Sequence, residues 1–598
     1  MSENKTNDFV IRFANVNGTG SASANALFTK AVFRMGIPVT PKNIFPSNIQ
    51  GLPTWYEVRV SEKGFLGRRE GIDFMVCVNP QSMIRDVKSV KSGGYFLYDS
   101  TKPLYGEYIR DDVNYIGIPM TELCNAAFTD ARQRQLFKNI IYIGALSKLM
   151  DFEFSVFEQL IADQFKGKEK LIEPNIKALK IGVEYVERNF KCPLELRVER
   201  RELINDWIMM SGNTACALGA IYAGATVAAW YPITPSTSVV DAFAKYAGKL
   251  RVDKETGKKN FAIVQAEDEL AAIGMVMGAS WNGARSFTAT SGPGVSLMNE
   301  FLGLAYFAEI PTVLIDVQRT GPSTGMPTRT QQSDILECAY ASHGDTKHVL
   351  LFPASPKECF EMTADAFDLA EELQTPVIVM TDLDLGMNDY MSPPLSWEDG
   401  RACKRGKVYD APALDKLERF GRYLDSDDDG IPYRTIPGAH ATKGAFVARG
   451  SSRDEYAVYT EDSAAYKRNV DRLMKKWKTA KELVHAPEYY SDDYESKNGV
   501  LFFGTSTYAA EEAVKLLNDE GITLDAMRVK AFPFGEKFAN FVNAHEKVFV
   551  IEQNRDAQFK SLMLIELGID SKKLISVLNY DGTPITADNI FEQIKKGL

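Results

Sequence analysis

Between Val227 and Gly248 the chain reads VAAWYPITPSTSVVDAFAKYAG. Its chemistry lies in the turn from Tyr231 through Pro232, Ile233 and Thr234 to Pro235, followed by Ser236, Thr237 and Ser238. Each proline biases the residue before it away from helix, so Tyr231 and Thr234 are expected to be extended. Pro235 suits the first helical position, where its missing N–H costs nothing, which makes Thr234 the expected N-cap. Beyond it Val239, Val240, Phe243 and Tyr246 recur at helical spacing. The segment reads as strand, sharp turn and helix. A helix N-terminus carries unpaired N–H groups and partial positive charge, and hydroxyls beside it suit an anion. A well-capped helix without any ligand has the same pattern, so the turn alone does not decide.

Other stretches pose the same question. Gln265-Ala266 is followed by three acids, Glu267, Asp268 and Glu269, and Gln318 opens the polar loop QRTGPSTGMPTRT. Near the start, DFVIRFANV is followed by NGTGSASAN, with Gly18 and Gly20 opening a helical pattern that runs to about Met35. Strand, glycine turn and helix can cradle a phosphate on backbone N–H groups. The sequence DSDDDG, from Asp425 to Gly430, resembles the start of a calcium loop. Its twelfth position is Ile436 rather than the bidentate glutamate, so an acidic surface turn is the expectation.

The elements that must position these groups alternate. In GNTACALGAIYAG, ATVAAWYP, FAIVQAEDELAAIGMVMGASWNG, RSFTATSGPGVSLMNEFLGLAYFAEI and PTVLIDVQ, strands alternate with helices, which implies a parallel sheet. Ligands of such sheets bind beyond the C-terminal strand ends, where YPITPSTS, QAEDE and QRTGPSTGMPT all fall. Length predicts about three to five domains. We divide the 598 residues into an N-terminal α/β domain (1–195) with a helical end, the parallel-sheet domain (205–390), an irregular charged arm (391–490) and a last α/β domain (495–598).

Composition excludes several classes. Net charge is −10, with no basic stripe for nucleic acid and no basic helix for a membrane. No stretch is apolar for long enough to span a bilayer, and MSENKTNDFVIRF lacks the pattern of a secretory signal. A cytoplasmic protein is the expectation. The seven cysteines are scattered without a C-x-x-C pair, which argues against a metal or iron–sulfur site made by this chain alone. Cys216, near the motifs, reads as a small buried hydrophobe. No metal ligand is assigned.

Taken together, YPITPSTS, GNTACALGA, SGPGVSLMNE and GPSTGMPT closely resemble the 2-oxoacid:ferredoxin oxidoreductases, thiamine-diphosphate enzymes with iron–sulfur clusters. The chain resembles their large, alpha subunit with a gamma domain fused at its N-terminus. FPSNIQGLPTWYEVRVS (Phe45 to Ser61) fits the gamma part, and the likeness extends through the arm, from Gly430 to Asp462, and the last domain. The fold this implies is a multidomain α/β chain. Its parallel-sheet domain would bind the thiamine pyrimidine, flanked by the gamma domain and a transketolase-C-like C-terminal domain.

The resemblance also implies roles. Glu267 matches the glutamate that hydrogen-bonds N1′ of the aminopyrimidine ring, although Asp268 and Glu269 stand beside it and sequence alone does not exclude them. Tyr231, Pro232, Ile233 and Thr234 form the cofactor turn, with Thr234 also touching substrate. Arg319 matches the arginine that grips the substrate's 1-carboxylate, with Arg329 as its rival. Gly18 and Gly20 are assigned to a coenzyme A phosphate. The chain lacks a Gly-Asp-Gly motif with its downstream asparagine and lacks cluster cysteines. The resemblance therefore implies a beta subunit carrying the diphosphate grip, Mg²⁺ and a [4Fe–4S] cluster, in a dimer of heterodimers, with ferredoxin as electron acceptor. The order of the fused parts and the Phe45 to Ser61 stretch point to 2-oxoglutarate, with pyruvate as the alternative. Outside the family, an NAD-dependent dehydrogenase using NGTGSASAN lacks the third glycine of its fingerprint, and a non-catalytic scaffold leaves the Thr234 turn unexplained.

Overall fold

The computed structural model describes residues 5–47, 52–490 and 495–598. Of the stretch Phe45 to Ser61, residues 48–51 lie outside the described residues. The chain forms two compact units.

The first unit holds Met1–Met209, Asn388–Pro393 and Thr586–Asn589. Its six-stranded sheet runs in the order Val39–Ile44, Pro53–Ser61, Asp8–Val16, Ile72–Cys77, Val90–Asp99 and Asn114–Ile118. Asp8–Val16 is parallel to Ile72–Cys77, whose six residues are all buried, and antiparallel to Pro53–Ser61. Inside the sheet the Glu57 carboxylate accepts from Arg12 and from Arg68 Nε at 2.9 Å. Burial would raise this acid, but the two guanidinium groups hold it at about 2. The helical end consists of Ala131–Leu149, Phe154–Gln164 and Ile172–Asn189.

The second unit holds Met210–Met387, Pro394–Ile585 and Ile590–Leu598. Its central sheet has seven strands in the order Ala531–Phe532, Val349–Leu351, Pro376–Asp382, Thr312–Gln318, Ser286–Thr290, Val227–Trp230 and Ala262–Gln265. All neighbours are parallel except Ala531–Phe532, which comes from the C-terminal stretch and pairs antiparallel with Val349–Leu351. Chain order reverses between Val227–Trp230 and Ser286–Thr290, the kind of crevice where open α/β sheets bind ligands. A second sheet of five strands follows in the order Glu488–Tyr489, Asp525–Val529, Asn498–Phe503, Lys547–Glu552 and Leu574–Leu578.

The arm is irregular apart from the short helix Ala411–Asp415, the long helix Ser463–Leu483 and short strand segments at its two ends, Glu488–Tyr489 among them. It is fastened by charge. Glu309 ends the helix Gly292–Ala308 in left-handed backbone (φ 59°), a conformation that disfavours side-chain-bearing residues. Its buried carboxylate accepts from Arg472 Nη1 at 2.9 Å and Nη2 at 2.5 Å, and from Lys476 Nζ at 2.9 Å. Burial would raise Glu309, but the two cations hold it well below the usual carboxylate range. The fully buried Arg453 lies 4.0 Å from the ring centres of both Phe307 and Tyr423. At DSDDDG, Asp425 accepts from the backbone N–H groups of Asp429 and Gly430 at 3.1 and 3.0 Å, and Lys407 and Lys475 neutralise the turn. Among the described residues no helix is long and apolar enough to cross a membrane, and the seven cysteines are all free thiols.

Candidate functional site

The loops that follow the central strands meet at the reversal of chain order. The first is YPITPS. Its helix begins at Thr237 with Ser236 at the N-cap position, which corrects the expectation that Thr234 caps and Pro235 starts the helix. The cause is a further turn: the Ser236 hydroxyl donates to Ile233 O at 3.1 Å, and the Thr237 N–H donates to the same oxygen at 3.1 Å. The Thr237 hydroxyl in turn accepts from the Ile233 N–H at 3.1 Å. The two hydroxyls thus fold back on Ile233 and delay the helix. Pro232 and Thr234 are left exposed, with Tyr231 and Ile233 half-buried. Asn213, wholly buried at the start of the helix Gly212–Tyr222, fixes the turn from behind. Its Nδ2 donates to Pro235 O at 2.9 Å and to Ser238 Oγ at 2.8 Å.

The second loop separates the three acids. Glu267 is exposed. Asp268 caps the helix Glu269–Trp281, accepting from the Ala271 N–H at 2.7 Å. Only Glu269 is buried, at 7% exposure. It faces the turn Ser291–Gly294 after the next strand. A Cβ placed on Gly294 would strike Thr290 Oγ1 and stand 3.0 Å from Glu269 Cγ. Glycine at this position therefore lets the backbone approach the acid closely. The expectation for Glu267 is revised on this ground: the acid enclosed at the strand ends is Glu269.

The third loop begins at Arg319, 8% exposed. Its Nη1 donates to Thr234 O at 2.7 Å, so two residues expected to bind substrate are tied to each other. Its Nη2 lies 3.4 Å from Thr324 O, and its Nε has no partner among the described residues. The rival Arg329 is half-buried and donates to Thr328 O at 2.9 Å. Between them the loop closes on itself through Thr320 N–H to Arg329 O at 2.9 Å and Met326 N–H to Thr320 O at 3.0 Å.

Two residues the sequence did not mark hold this loop. Gln332 is 1% exposed, and its backbone N–H donates to Gln553 O at 2.8 Å, while its own carbonyl accepts from Asn554 Nδ2 at 2.9 Å. Its side chain reaches Asp382 and Thr505 at 3.3 Å and accepts from Ser506 Oγ at 3.3 Å. Asp334 is placed by its N–H, which donates to Gln318 Oε1 at 3.1 Å. Its carboxyl lies against Gly292, where a Cβ would stand 2.5 Å from Oδ1.

In the first unit, Gly18 and Gly20 have φ of 83° and 75°, are exposed, and precede the helix Ser21–Arg34, with Gly20 at the N-cap position. The side chain of Leu136 covers the position a Cβ on Gly20 would take.

A parallel sheet with reversed order, a glycine turn against a buried acid and a guanidinium at a neighbouring strand end together form a crevice of the kind in which open α/β sheets bind cofactors. Residues 218–403 match the family model described as pyruvate flavodoxin/ferredoxin oxidoreductase, thiamine diphosphate-binding, and residues 10–185 match that of pyruvate ferredoxin/flavodoxin oxidoreductase. The alpha subunit of 2-oxoacid:ferredoxin oxidoreductase 2 from Aeropyrum pernix is 30% identical, covering 97% of this chain and 96% of that one. The 2-oxoglutarate oxidoreductase subunit KorA from Mycobacterium tuberculosis is 28% identical over 98% of this chain and 91% of that one. Among solved structures, the 2-oxoglutarate:ferredoxin oxidoreductase from Magnetococcus marinus, with 2-oxoglutarate, coenzyme A and succinyl-CoA bound, superposes with a TM-score of 0.89. Its identity is 29%, and 99% of each chain is covered. The chain belongs to the 2-oxoacid:ferredoxin oxidoreductase alpha-subunit family.

Proposed function

We propose that this chain is the alpha subunit of a complex that oxidatively decarboxylates 2-oxoglutarate to succinyl-CoA and passes the electrons to ferredoxin, with the reverse carboxylation open to the same site. The single observation that carries the reading is Glu269, a buried acid packed on the glycine turn at the reversal of the sheet; Arg319 and Thr234 are joined to each other at the same edge of that sheet.

The residues fit thiamine diphosphate at its pyrimidine end. A carboxyl enclosed at strand ends can hold a proton at N1′, and a glycine turn admits a flat ring close to the backbone. When bound, the cofactor supplies the carbon nucleophile and electron sink for a 2-oxoacid. Glu269 holds the proton on N1′. Arg319 grips the substrate's 1-carboxylate through a planar donor fork, for which a guanidinium is suited. Its bond to Thr234 O fixes the direction of that fork and ties it to the exposed Thr234. Asn213 keeps the Thr234 turn in place.

The diphosphate grip, Mg²⁺ and the [4Fe–4S] cluster are assigned to a beta subunit, in a dimer of heterodimers located in the cytoplasm. The Gly18–Gly20 turn is assigned to a phosphate of coenzyme A, because both glycines are exposed and open the helix Ser21–Arg34. The choice of 2-oxoglutarate over pyruvate is supported by the name of the mycobacterial relative and by the ligands of the Magnetococcus structure.

The test is viologen-dye reduction by the chain reconstituted with its beta subunit, with coenzyme A and a panel of 2-oxoacids. We expect 2-oxoglutarate to give the highest kcat/KM. Equal or higher turnover of pyruvate would overturn the substrate, and dye reduction by this chain alone would overturn the shared site.

A further inference from the structure

The five-stranded sheet has a reversal of chain order of its own. From Asn498–Phe503 the chain goes to Asp525–Val529 on one side, then to Lys547–Glu552 and Leu574–Leu578 on the other, with these neighbours parallel. The C-terminal ends of Asn498–Phe503 and Lys547–Glu552 therefore flank the crevice where a sheet of this kind holds a ligand. What fills it is a residue of the same chain, Gln332, from the loop that begins at Arg319. Its Nε2 lies 3.3 Å from Thr505 Oγ1, and its Oε1 accepts from Ser506 Oγ at 3.3 Å, both just beyond the first of these strands. Its backbone N–H donates to Gln553 O at 2.8 Å and its carbonyl accepts from Asn554 Nδ2 at 2.9 Å, both just beyond the second. Gly504 admits it. That residue has φ of 54°, and a Cβ placed on it would stand 2.8 Å from Gln332 Nε2. Gln332, Thr505, Ser506, Gln553 and Asn554 are all buried, so Gln332 is held at both side-chain ends and both backbone groups, as a bound amide would be.

We propose that the last α/β sheet acts as an internal receptor for Gln332, and that seating this residue positions the loop whose first residue, Arg319, grips the oxoacid. Gln332 is then a positioning residue. This rests on the reading of Arg319 as the carboxylate grip. The link from the seat to Arg319 is short. Thr330, two residues before Gln332, donates its N–H to Gly582 O at 3.2 Å, in the loop after Leu574–Leu578. The Thr330 carbonyl accepts from Thr320 Oγ1 at 3.1 Å, and the Thr320 N–H donates to Arg329 O at 2.9 Å. The seated end of the loop is thus tied to the residue beside Arg319. On the other side of the seat, Gln558 Nε2 donates to Ser333 O at 2.6 Å, and Gln558 Oε1 accepts from the Leu336 N–H at 3.2 Å. A loop pinned on both sides of one seat keeps a guanidinium aimed, with no ordering cost left for the substrate to meet. Without the seat the loop loses its anchor, while the strand Thr312–Gln318, paired on both sides, keeps its place.

The test compares Gln332→Ala and Gln558→Ala with the native chain, each reconstituted with its beta subunit. Hydrogen–deuterium exchange is read over residues 320–336, and KM for 2-oxoglutarate and coenzyme A by dye reduction. In Gln332→Ala we expect exchange in that segment to quicken and the oxoacid KM to rise about tenfold. The coenzyme A KM should hold within about twofold. Gln558→Ala, at a half-buried position on the rim of the seat, should give the same pattern with a rise of about threefold. Exchange that quickens across the whole chain, or two KM values that rise together, marks an ordinary packing residue and overturns the proposal. Unaltered exchange over 320–336 overturns it as well. If Gln332→Ala does not fold, Gln558→Ala decides by the same readouts. Turnover of 2-oxoglutarate with an unshifted oxoacid KM in the variants sinks this inference alone. No turnover of any 2-oxoacid by the native complex sinks the functional reading and the positioning role with it.

Discussion

Glu309 and Asp334 are two acids buried in the same unit, and their neighbours take them in opposite directions. Both Glu309 oxygens are paired, to Arg472 and Lys476, and the charge is held in place at the foot of the arm. Asp334 sits among acids and keeps one oxygen without a partner among the described residues. The first is lowered by its cations and the second is raised to about 7. Burial alone therefore says little about an acid. What surrounds it decides whether it fastens the fold or stays available for chemistry.

That contrast can be broken at either end. The largest effect belongs to Glu309→Ala, which strands two cations in the interior. We expect a loss of about 3–5 kcal/mol in unfolding free energy, read from urea denaturation. A loss below roughly 1 kcal/mol would remove the claim that this acid fastens the arm.

Glu269→Gln is the mirror case. Its cost should fall on turnover, with kcat lowered about 10²–10⁴-fold while the urea midpoint holds. Glu267→Gln, on the exposed neighbour, should change kcat by no more than about twofold. The reverse ranking in the dye assay would return the N1′ role to Glu267.

Arg319→Ala should raise the oxoacid KM by roughly 10- to 100-fold, the scale of losing charge-assisted hydrogen bonds. The coenzyme A KM should hardly move. Equal rises for both substrates would count against a carboxylate grip.

The smallest effect lies in pH dependence, and the two acids differ in sign. Glu309 has a folded pKa below its unfolded value, so its stabilisation is present above the unfolded pKa of about 4.3 and is lost on acidification. Asp334 has a folded pKa raised to about 7, so its stabilisation is present below the unfolded pKa of about 3.9 and is lost as pH rises through 7. Asp334→Asn should therefore gain on the native chain between pH 5 and 8, by roughly 2 kcal/mol. Thermal unfolding at four pH values measures it, and parallel curves for the two proteins would remove the distinction.

The alternation of strands and helices was legible because periodicity is local. The runs ATVAAW, FAIVQ, RSFTAT and PTVLIDVQ all contain strands of the central sheet. The place of Arg319 at a strand end was legible because it directly follows the apolar run TVLIDVQ. The register of the Thr234 turn was not, since the hydroxyls of Ser236 and Thr237 turn back to Ile233 instead of letting Thr234 cap. Nor was the choice among Glu267, Asp268 and Glu269. Adjacent positions at a helix start point in different directions, and only the glycine turn from the next strand shows which one is enclosed. Gln332 and Asp334 read as an ordinary polar loop. Gln332 is buried by Thr505, Gln553 and Asn554, more than 170 residues away in sequence, and no local pattern carries that information. The antiparallel strands Val39–Ile44 and Pro53–Ser61 were missed for a related reason: both include proline, which weakens a strand signal.

The pairing of Ala531–Phe532 with Val349–Leu351 has a consequence for how the gene product can be shortened. A two-residue strand is a blunt ending that offers a stranger little to zip onto. Cut away the last hundred residues and Val349–Leu351 becomes an open template of unpaired amides, beside a naked Phe352 that Phe503 and Phe559 had covered. The thiamine-type half is thus no detachable module, and expressing it alone should yield a sticky, self-associating fragment.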